Sequence, residues 1–244
     1  MTITGSSFVT GATASFGGVP ATGVSVTDSA HIAAAVPPLP PGTLGDVVVT
    51  NPGNLSDALP KGWFADFLDV PQSNMFHGDI ETVFRQGITA GCGGGNYCPA
   101  AIVSRAQMAV FLLKAEHGSS YVPPGCTGVF GDVACPSQYA NWIERLAAEG
   151  ITAGCGGGNY CPTASVTRAQ MAVFLLKTEH GSSYVPPSCA GIFGDVACPG
   201  QYANWIEQLS AEGITAGCGG GNYCPGGATA RVQMATFLNR TFGF

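Results

Sequence analysis

Ten cysteines are the residues of this sequence whose spacing most clearly predicts chemistry. They recur at intervals of 63 residues, and within each copy they form pairs with five or eight residues between the partners. Because every cysteine has a partner in this pattern, we predict five local disulfides and an oxidising environment. The predicted pairs are Cys92–Cys98, Cys155–Cys161, Cys218–Cys224, Cys126–Cys135 and Cys189–Cys198.

Zinc binding is the alternative use of these cysteines. Structural zinc sites usually combine cysteine spacings of about two to four residues with further ligands. His77, His117 and His180 could supply such ligands, but they do not occupy matching positions in all copies. The pattern therefore favours disulfides, and we expect neither a metal nor a cofactor.

Three arginines stand at equivalent positions, each at the predicted start of a helix: Arg105, Arg168 and Arg231. A positive charge in the first turn opposes the helix dipole, so each arginine should have a partner. One candidate is an acidic side chain of a neighbouring copy. The other is a ligand carboxylate, held by the arginine together with the free backbone N–H groups of the helix start. In that case, replacing Arg168 by Ala should weaken binding and leave folding nearly unchanged.

Three glutamates also recur at one position, namely Glu81, Glu144 and Glu207. Two carboxylates facing each other across a groove could cleave a glycosidic bond, one as acid and the other as nucleophile or base. The alternative is a solvated acid at the edge of an apolar helix face. No Ser–His–Asp or Cys–His set suggests itself, because the histidines do not recur in every copy and the cysteines are paired.

Repeated aromatic and acidic positions could also contact a ligand. Trp142 and Trp205 could stack on sugar rings, or they could belong to the core between copies. Asp69, Asp132 and Asp195 precede a valine near the beginning of each copy. Because aspartate often caps turns through its carboxylate, we expect a capping role for these three.

The elements that must position these side chains are two helices per copy. In the second copy, Trp142, Ile143 and Leu146 lie on one stripe at three- and four-residue steps, which predicts an amphipathic helix that ends at Gly150. A glycine-rich loop follows. A second helix then begins at Thr167, which has capping-box spacing to Gln170. Each copy is too small to fold alone, so we expect three copies to fold together within a monomer.

The first 66 residues differ from the copies, since they contain no cysteine and no Lys or Arg before Lys61. Short β-type runs at 12–16, 24–26 and 46–50 lie between Gly and Pro turns, which predicts a β-sandwich. The predicted organisation is therefore a sandwich at 1–66 and copies at 67–129, 130–192 and 193–244.

The segments Ile3–Phe8, Ala14–Ala21 and Val47–Pro52 together resemble the IPT/TIG family of immunoglobulin-like domains. Members of that family usually carry one more strand and a glycine-rich turn ahead of the position of Met1. The resemblance therefore implies an incomplete immunoglobulin-like sandwich, and we expect the chain to be a fragment of a longer gene product or an internally started one.

Each copy is similar to an S-layer homology (SLH) domain. In the second copy the similarity rests on Phe130–Val133, the Trp142 helix, Glu149–Gly154, Gly158–Pro162 and Val166–Gln170. The family implies a mainly α pseudo-threefold trimer of repeats, with a central three-helix bundle and ligand grooves between neighbouring repeats. Such trimers typically bind anionic cell-wall polysaccharide, and the arginine at the second helix start contacts the glycan. That role carries over to Arg105, Arg168 and Arg231.

The copies depart from the family pattern at two positions. The usual glutamate two residues after the arginine is Gln107, Gln170 or Gln233 here. In addition, Ala230 stands where Ser104 and Thr167 cap the other two copies. The third groove is therefore the one to which the family role transfers least directly.

Charge and hydropathy exclude several classes of protein. A net charge of −6 with only nine Lys and Arg offers no basic surface for nucleic acid. No apolar run approaches the roughly 20 residues needed to cross a membrane, and no signal peptide is visible.

The cysteines nevertheless indicate export. We predict an extracellular, surface-anchoring module that binds anionic cell-wall polysaccharide. The alternatives are a glycoside hydrolase using the three glutamates and a structural or protein-binding spacer.

Overall fold

Seven strands and six helices follow one another along the chain in the computed structural model, which describes residues 1–244. The chain divides into two compact units. One comprises residues 1–77 and 90–97, and the other comprises residues 78–89 and 98–244. None of the helices combines the length and the apolar character needed to cross a bilayer.

The first unit contains two antiparallel sheets. One sheet has the order β1-β5-β4, formed by β1 (Thr2–Thr4), β5 (His31–Ala35) and β4 (Thr22–Asp28). The other has the order β3-β2-β6-β7, formed by β3 (Val19–Pro20), β2 (Thr13–Phe16), β6 (Thr43–Asn51) and β7 (Leu55–Ala65).

Alternation of buried and exposed side chains explains these strands. Ala14 and Phe16 of β2 are buried, as are Ile32 and Ala34 of β5, with less buried residues between them. The predicted β-type runs at 24–26 and 46–50 fall within β4 and β6, and the run at 12–16 begins one residue before β2. The expectation of a β-structured N-terminal region is therefore confirmed.

The helical part supplies two helices to each copy, as the stripe pattern predicts. The shorter helices are α1 (His77–Arg85), α3 (Ala140–Ala148) and α5 (Ala203–Ala211). The longer helices are α2 (Arg105–His117), α4 (Arg168–His180) and α6 (Arg231–Phe242). Ile143 and Leu146 of α3 are fully buried, and Trp142 of the same stripe is partly exposed.

The three longer helices contact one another pairwise. Most of their buried side chains are apolar, and Met108, Leu112, Met171 and Leu175 are fully buried. Burial of this apolar surface is the main favourable contribution to folding in this part of the chain.

A closed ring of backbone hydrogen bonds links the segments that lead into these helices. The N–H of Val103 donates to the carbonyl of Thr229 at 2.9 Å, and the N–H of Thr229 donates to Val166 at 2.9 Å. The N–H of Val166 completes the ring by donating to Val103 at 3.1 Å. Each of the three copies thus supplies one donor and one acceptor.

The capping box predicted from Thr167 and Gln170 is present. The Thr167 hydroxyl accepts the Gln170 N–H at 3.2 Å, and Gln170 Oε1 accepts the Thr167 N–H at 3.2 Å. Ser104 and Gln107 form the same pair of bonds. Ala230 has nearly the same backbone angles as Thr167 but has no side-chain acceptor, so only the bond from its N–H to Gln233 remains.

Replacing Ala230 by Thr should therefore raise the free energy of unfolding by about 1 kcal/mol, because the new hydroxyl would accept an otherwise unused N–H of α6. Chemical denaturation with the disulfides intact measures this difference. Ala230→Val is the matched control, since Val has the shape of Thr without the hydroxyl. Equal stability of the two variants would contradict the capping explanation.

Candidate functional site

Each repeat carries a glycine-rich loop closed by a disulfide. In the second copy Cys155 is bonded to Cys161, and Gly156, Gly157 and Gly158 between them all have positive φ. Three consecutive left-handed residues are accessible at low cost only to glycine. The Cys155 N–H donates to the Asn159 carbonyl at 2.8 Å, which closes the loop a second time.

The prediction of five disulfides is confirmed. Besides the Cys155–Cys161 bond, the bridges are Cys218–Cys224, Cys126–Cys135 and Cys189–Cys198. Cys92 and Cys98 are also disulfide-bonded, and no cysteine is free.

Asp132 fastens this loop to the beginning of its own copy. Its carboxylate accepts the N–H groups of Tyr160 and Cys161, each at 2.7 Å. The Tyr160 N–H is the main cause that lowers the pKa of Asp132, with a smaller contribution from Cys161, and together they outweigh desolvation. Asp195 makes the equivalent bonds to Tyr223 and Cys224. We expected these aspartates to cap local turns. Asp132 and Asp195 instead bind a loop that lies 28 residues further along the chain.

The anchored loop presents a buried tyrosine to the preceding copy. The Tyr160 hydroxyl donates to the Arg105 carbonyl at 2.8 Å, and Arg105 Nε donates to the Tyr160 carbonyl at 2.8 Å. Tyr223 and Arg168 repeat this pair of bonds at 2.7 and 2.9 Å. Burial raises the pKa of both tyrosines, so each hydroxyl remains a neutral donor.

The arginine side chains are buried between aromatic rings. Arg105 is 4% exposed, and its guanidinium carbon lies 4.7 Å from the centroid of the Tyr160 ring and 5.5 Å from that of Phe174. The Thr152 hydroxyl lies at 3.5 Å from Nη2. Arg168 is 5% exposed and has the same surroundings, formed by Tyr223, Phe237 and Thr215.

An ion pair with a neighbouring copy, the first alternative for these arginines, is not found for Arg105 or Arg168. Their hydrogen-bond partners are a carbonyl and a hydroxyl, and both are neutral. Asp132 is influenced by the charge of Arg105, but this is the smallest of the effects on its pKa. Arg231 is also buried, and its Nη2 donates to the Thr89 hydroxyl at 3.2 Å.

The expectation that free N–H groups of the helix start hold a ligand is wrong. The N–H of Arg105 donates to the Ala164 carbonyl at 2.9 Å, and the N–H of Ala106 donates to the Pro162 carbonyl at 3.0 Å. The next N–H is bound by the Ser104 cap. The first two N–H groups of α4 and α6 make equivalent bonds, and the third is capped by Thr167 in α4 but by no side chain in α6. The neighbouring copy therefore already satisfies the first two donors of each helix.

A groove of about 200 Å³ opens beside the first arginine; we name it the Arg105 groove. It is lined by Arg105 of the first copy, by Tyr202 of the third, and by Ile151, Thr152, Ala153, Gly154, Gln170, Val173, Phe174 and Lys177 of the second. Two of these residues are cationic and none is acidic. The Lys177 ammonium donates to the Gly150 carbonyl at 3.3 Å.

Gly154 allows the backbone that lines the groove to pass close to the glycine-rich loop. Its φ is +85°, and a Cβ at this position would lie 2.2 Å from the Asn159 carbonyl oxygen. Any other residue would therefore displace the loop and, with it, Tyr160.

Comparison with known families identifies the parts of this chain. Residues 1–61 match the family model of the IPT/TIG domain, and residues 66–109 and 133–172 match that of the S-layer homology domain. The chain carries an IPT/TIG domain followed by S-layer homology domains. SLH domains imply association with a cell surface, and the disulfides fit an extracellular protein.

Three curated relatives share part of this sequence. Exoglucanase XynX of Acetivibrio thermocellus is 27% identical over 197 residues, which is 80% of this chain and 17% of the relative. An uncharacterized cell wall amidase of Bacillus anthracis is 32% identical over 41% of this chain and 18% of its own length. Amylopullulanase of Thermoanaerobacterium thermosulfurigenes is 28% identical over 56% of this chain and 7% of its own length. The chain thus matches less than a fifth of each relative.

A larger cavity of about 380 Å³ lies near the start of α2 in the SLH region. Asp132 is its one charged lining residue, and that carboxylate is already bound by two N–H groups. The Arg105 groove is therefore the better site for an anionic ligand.

Trp142 and Trp205 line neither of these cavities. The Trp142 ring meets Tyr121 edge-on at 6.1 Å between centroids, and Tyr121 in turn stacks against His117 at 4.4 Å. Trp205 has the equivalent contact with Tyr184 at 6.2 Å. Both tryptophans are partly exposed, and each belongs to an aromatic cluster that lies apart from these cavities, at two of the boundaries between copies.

The three recurring glutamates do not line these cavities either. Glu144 is 8% exposed and accepts the N–H groups of Thr127, Gly128 and Val129 at 2.6, 2.8 and 3.0 Å. Glu207 holds the equivalent segment of the next copy. Glu81 instead pairs with Arg85 on the same helix at 2.6 Å. The expectation of a solvated acid is wrong for Glu144 and Glu207, because the linker before each copy folds over them.

Burial alone would raise the pKa of Glu144, but the hydrogen bonds from Thr127, Val129 and Gly128 outweigh burial and lower it. The carboxylate is therefore ionised at neutral pH. A catalytic general acid of a glycosidase shows the opposite shift.

Replacing Glu144 by Gln should cost roughly 1–3 kcal/mol of stability at neutral pH, since Gln cannot accept from all three N–H groups. Because the folded-state pKa lies below the ordinary value of 4.5, the contribution is present above that value and is lost as the pH falls through it and then through the folded-state pKa. The variant should thus show a flatter loss of stability in acid. Denaturation from about pH 7 to pH 3 measures this slope.

Glu81→Gln is the control for the Glu144 experiment, because the Glu81 carboxylate pairs with a partly exposed arginine. We expect a smaller effect on stability from this substitution. Parallel pH profiles for the native chain and Glu144→Gln would contradict the assigned role of Glu144.

Proposed function

We propose that the three copies, at 67–129, 130–192 and 193–244, form one intramolecular SLH trimer around a central bundle of α2, α4 and α6. The pairwise contacts of these helices and the hydrogen-bond ring through Val103, Val166 and Thr229 support this arrangement. So does the contact of the third copy with the first, in which Thr236 and Asn239 of α6 donate to Asp79 of α1 at 2.6 and 2.8 Å.

We propose further that this trimer anchors an extracellular protein by binding anionic cell-wall polysaccharide in the Arg105 groove. The observation that carries the proposal is the charge of the groove. Its lining contains Arg105 and Lys177 and no acid, in a chain whose net charge is −6.

Burial of Arg105 adds a second argument. A buried cation is costly unless it is compensated, and here the compensation is a carbonyl, a hydroxyl and two aromatic faces. An anionic group in the groove would supply the missing opposite charge. The bond from Nε to Tyr160 and the flanking rings fix the guanidinium plane, so the remaining N–H groups are held ready for a carboxylate.

The surrounding residues suit a sugar acid. Lys177 reaches the groove on a flexible stem and can follow the charge of the ligand. Thr152 offers a hydroxyl, and Tyr202 offers an aromatic face against which the apolar side of a pyranose ring can pack. The corresponding arginines Arg168 and Arg231 give the other two boundaries between repeats an equivalent candidate contact.

The relatives support an anchoring role. Two of them are named as an exoglucanase and an amylopullulanase, and the third as a cell wall amidase. Because this chain matches only a small share of each, the shared part is best explained as the segment that holds a separate domain at the surface. We propose no glycosidase activity for Glu81, Glu144 and Glu207, since two of them are held as low-pKa structural acceptors.

Lys177→Gln should weaken the binding of acidic cell-wall polysaccharide roughly tenfold, because it removes one charge-assisted contact without disturbing a buried group. Added salt should weaken binding to the native chain. Calorimetry measures both effects. Lys61→Gln removes the same charge from an exposed site in the IPT/TIG domain and should bind like the native chain.

The same polysaccharide with its acidic groups reduced is the matched ligand control. We expect the native chain to bind it far more weakly. Equal affinities for the acidic and reduced polysaccharides, or for the native chain and Lys177→Gln, would contradict the proposed site.

Substitution of Arg105 tests the site less directly. Because this side chain is buried, its replacement should also lower the stability of the fold. Arg168 is buried in the same way, so we no longer expect Arg168→Ala to leave folding unchanged.

The trimer proposal predicts that the intact chain is a monomer in light scattering. Deleting residues 193–244, with Cys189 replaced by Ser because its partner Cys198 is lost, removes α5 and α6 and exposes the apolar faces of α2 and α4 that contact α6. We therefore expect the shortened chain to aggregate or to lose its cooperative unfolding transition. A soluble, monomeric two-copy chain that unfolds cooperatively would contradict the proposal.

A further inference from the structure

A second recurring group of side chains lies outside the Arg105 groove, where α2 ends beside α3. His117 Nε2 lies 2.8 Å from Glu149 Oε1 and 3.6 Å from Glu116 Oε2. We name these three residues the His117 cluster. The next repeat boundary contains the equivalent His180 cluster, in which His180 Nε2 lies 3.0 Å from Glu212 Oε1 and 3.7 Å from Glu179 Oε2.

Two carboxylates are brought together in each cluster. In both clusters one histidine nitrogen lies within 4 Å of an oxygen of each carboxylate. The Oε2 atoms of Glu149 and Glu212 are buried and accept no hydrogen bond from an N–H or hydroxyl group. Two carboxylates and an imidazole nitrogen that converge in this way can share a bound cation.

The two clusters differ in one neighbouring residue. Arg145 Nε donates to Glu149 Oε1 at 2.6 Å, whereas the amide of Gln208 donates to Glu212 Oε1 at 2.6 Å. The charged groups that face the His117 cluster therefore include one arginine, and those at the His180 cluster are the two glutamates alone. Because it lacks this arginine, the His180 cluster is the more negative of the two by one charge.

The geometry points to a binding site for a divalent transition-metal ion of the Zn²⁺ class in the His180 cluster, with His180, Glu179 and Glu212 as ligands. We infer a weaker site of the same kind in the His117 cluster. Bonds of about 2.0 Å to a tetrahedral Zn²⁺ place ligand atoms about 3.3 Å apart. The distances from His180 Nε2 to the two carboxylates, 3.0 and 3.7 Å, lie on either side of this separation.

The donor set selects the type of metal. One imidazole nitrogen with two carboxylate oxygens suits Zn²⁺, whereas Ca²⁺ and Mg²⁺ prefer oxygen ligands. The Tyr184 ring contacts the His180 ring at 4.3 Å between centroids, with an angle of 34° between the ring planes. The His180 side chain is 32% exposed, which leaves an approach for the ion and room for a water ligand.

Such an ion would clip neighbouring repeats together. Glu179 and His180 end α4 of the second copy, while Glu212 follows α5 of the third. A metal bound to all three stabilises the contact between copies in proportion to its occupancy. The third boundary has no equivalent, because Gly243 and Gln86 stand at the positions that correspond to His180 and Glu212. Because the histidines do not recur in every copy, the sequence pattern favoured disulfides over a zinc site.

Equilibrium dialysis of the tag-free, chelator-treated, oxidised chain against ZnCl₂ tests the inference. We expect two bound ions of unequal affinity and a rise in the unfolding temperature with Zn²⁺. His180→Ala should remove the tighter ion, and the partly exposed Glu179→Gln should weaken it at least tenfold with folding preserved by circular dichroism. His31→Ala is the control, because His31 faces the single carboxylate of Asp28 on an exposed strand.

Exchanging Arg145 and Gln208, the residues that differ between the two clusters, tests which site has the higher affinity for Zn²⁺. Gln208→Arg should weaken the His180 site roughly tenfold by placing a positive charge beside it, and Arg145→Gln should strengthen the His117 site by a similar factor. The inference is overturned if Zn²⁺ uptake is absent, or if it is unchanged when His117 and His180 are both replaced by Ala. Uptake that requires His117 but not His180 would overturn the ranking.

Discussion

The contact between a buried arginine and a buried tyrosine of the next copy is the interaction on which the SLH region depends. Tyr160 accepts from Arg105 through its carbonyl, donates to it through its hydroxyl, and covers the guanidinium with its ring. Because a displaced tyrosine would leave a buried cation and a buried hydroxyl unsatisfied, the loop that carries it must be fixed. The disulfide, the positive-φ glycines and Asp132 all hold this loop in place.

In the proposed function, the same contact combines stability and binding in one side chain. Arg105 joins two copies through neutral partners, and we propose that its charge receives a ligand in the Arg105 groove. The helix-start N–H groups serve only the fold, since carbonyls of the next copy accept them. Binding of an anion should in turn strengthen the contact between copies.

Local patterns made much of this predictable from sequence. The 63-residue cysteine period predicted the disulfides, the Thr167–Gln170 spacing predicted the capping box, and alternation predicted the β region. Burial of Glu144 was not predictable, because its partners lie about 15 residues away in an irregular linker. Nor was the occupancy of the helix-start N–H groups, which depends on how the copies meet. Periodicity reports which residues share a face, whereas hydrogen-bond partners from another copy leave no local signal.

We propose that Arg105 and Arg168, whose hydrogen-bond partners are neutral, receive the acidic group of a ligand. Nuclear magnetic resonance of the arginine side-chain N–H groups, recorded during titration of the intact oxidised chain with acidic cell-wall polysaccharide, tests it most directly. We predict that the Arg105 signal shifts with the acidic polysaccharide and stays in place with the same polysaccharide after its acidic groups are reduced. Identical responses to the two polysaccharides, or binding that leaves the arginine signals unmoved, would contradict the account.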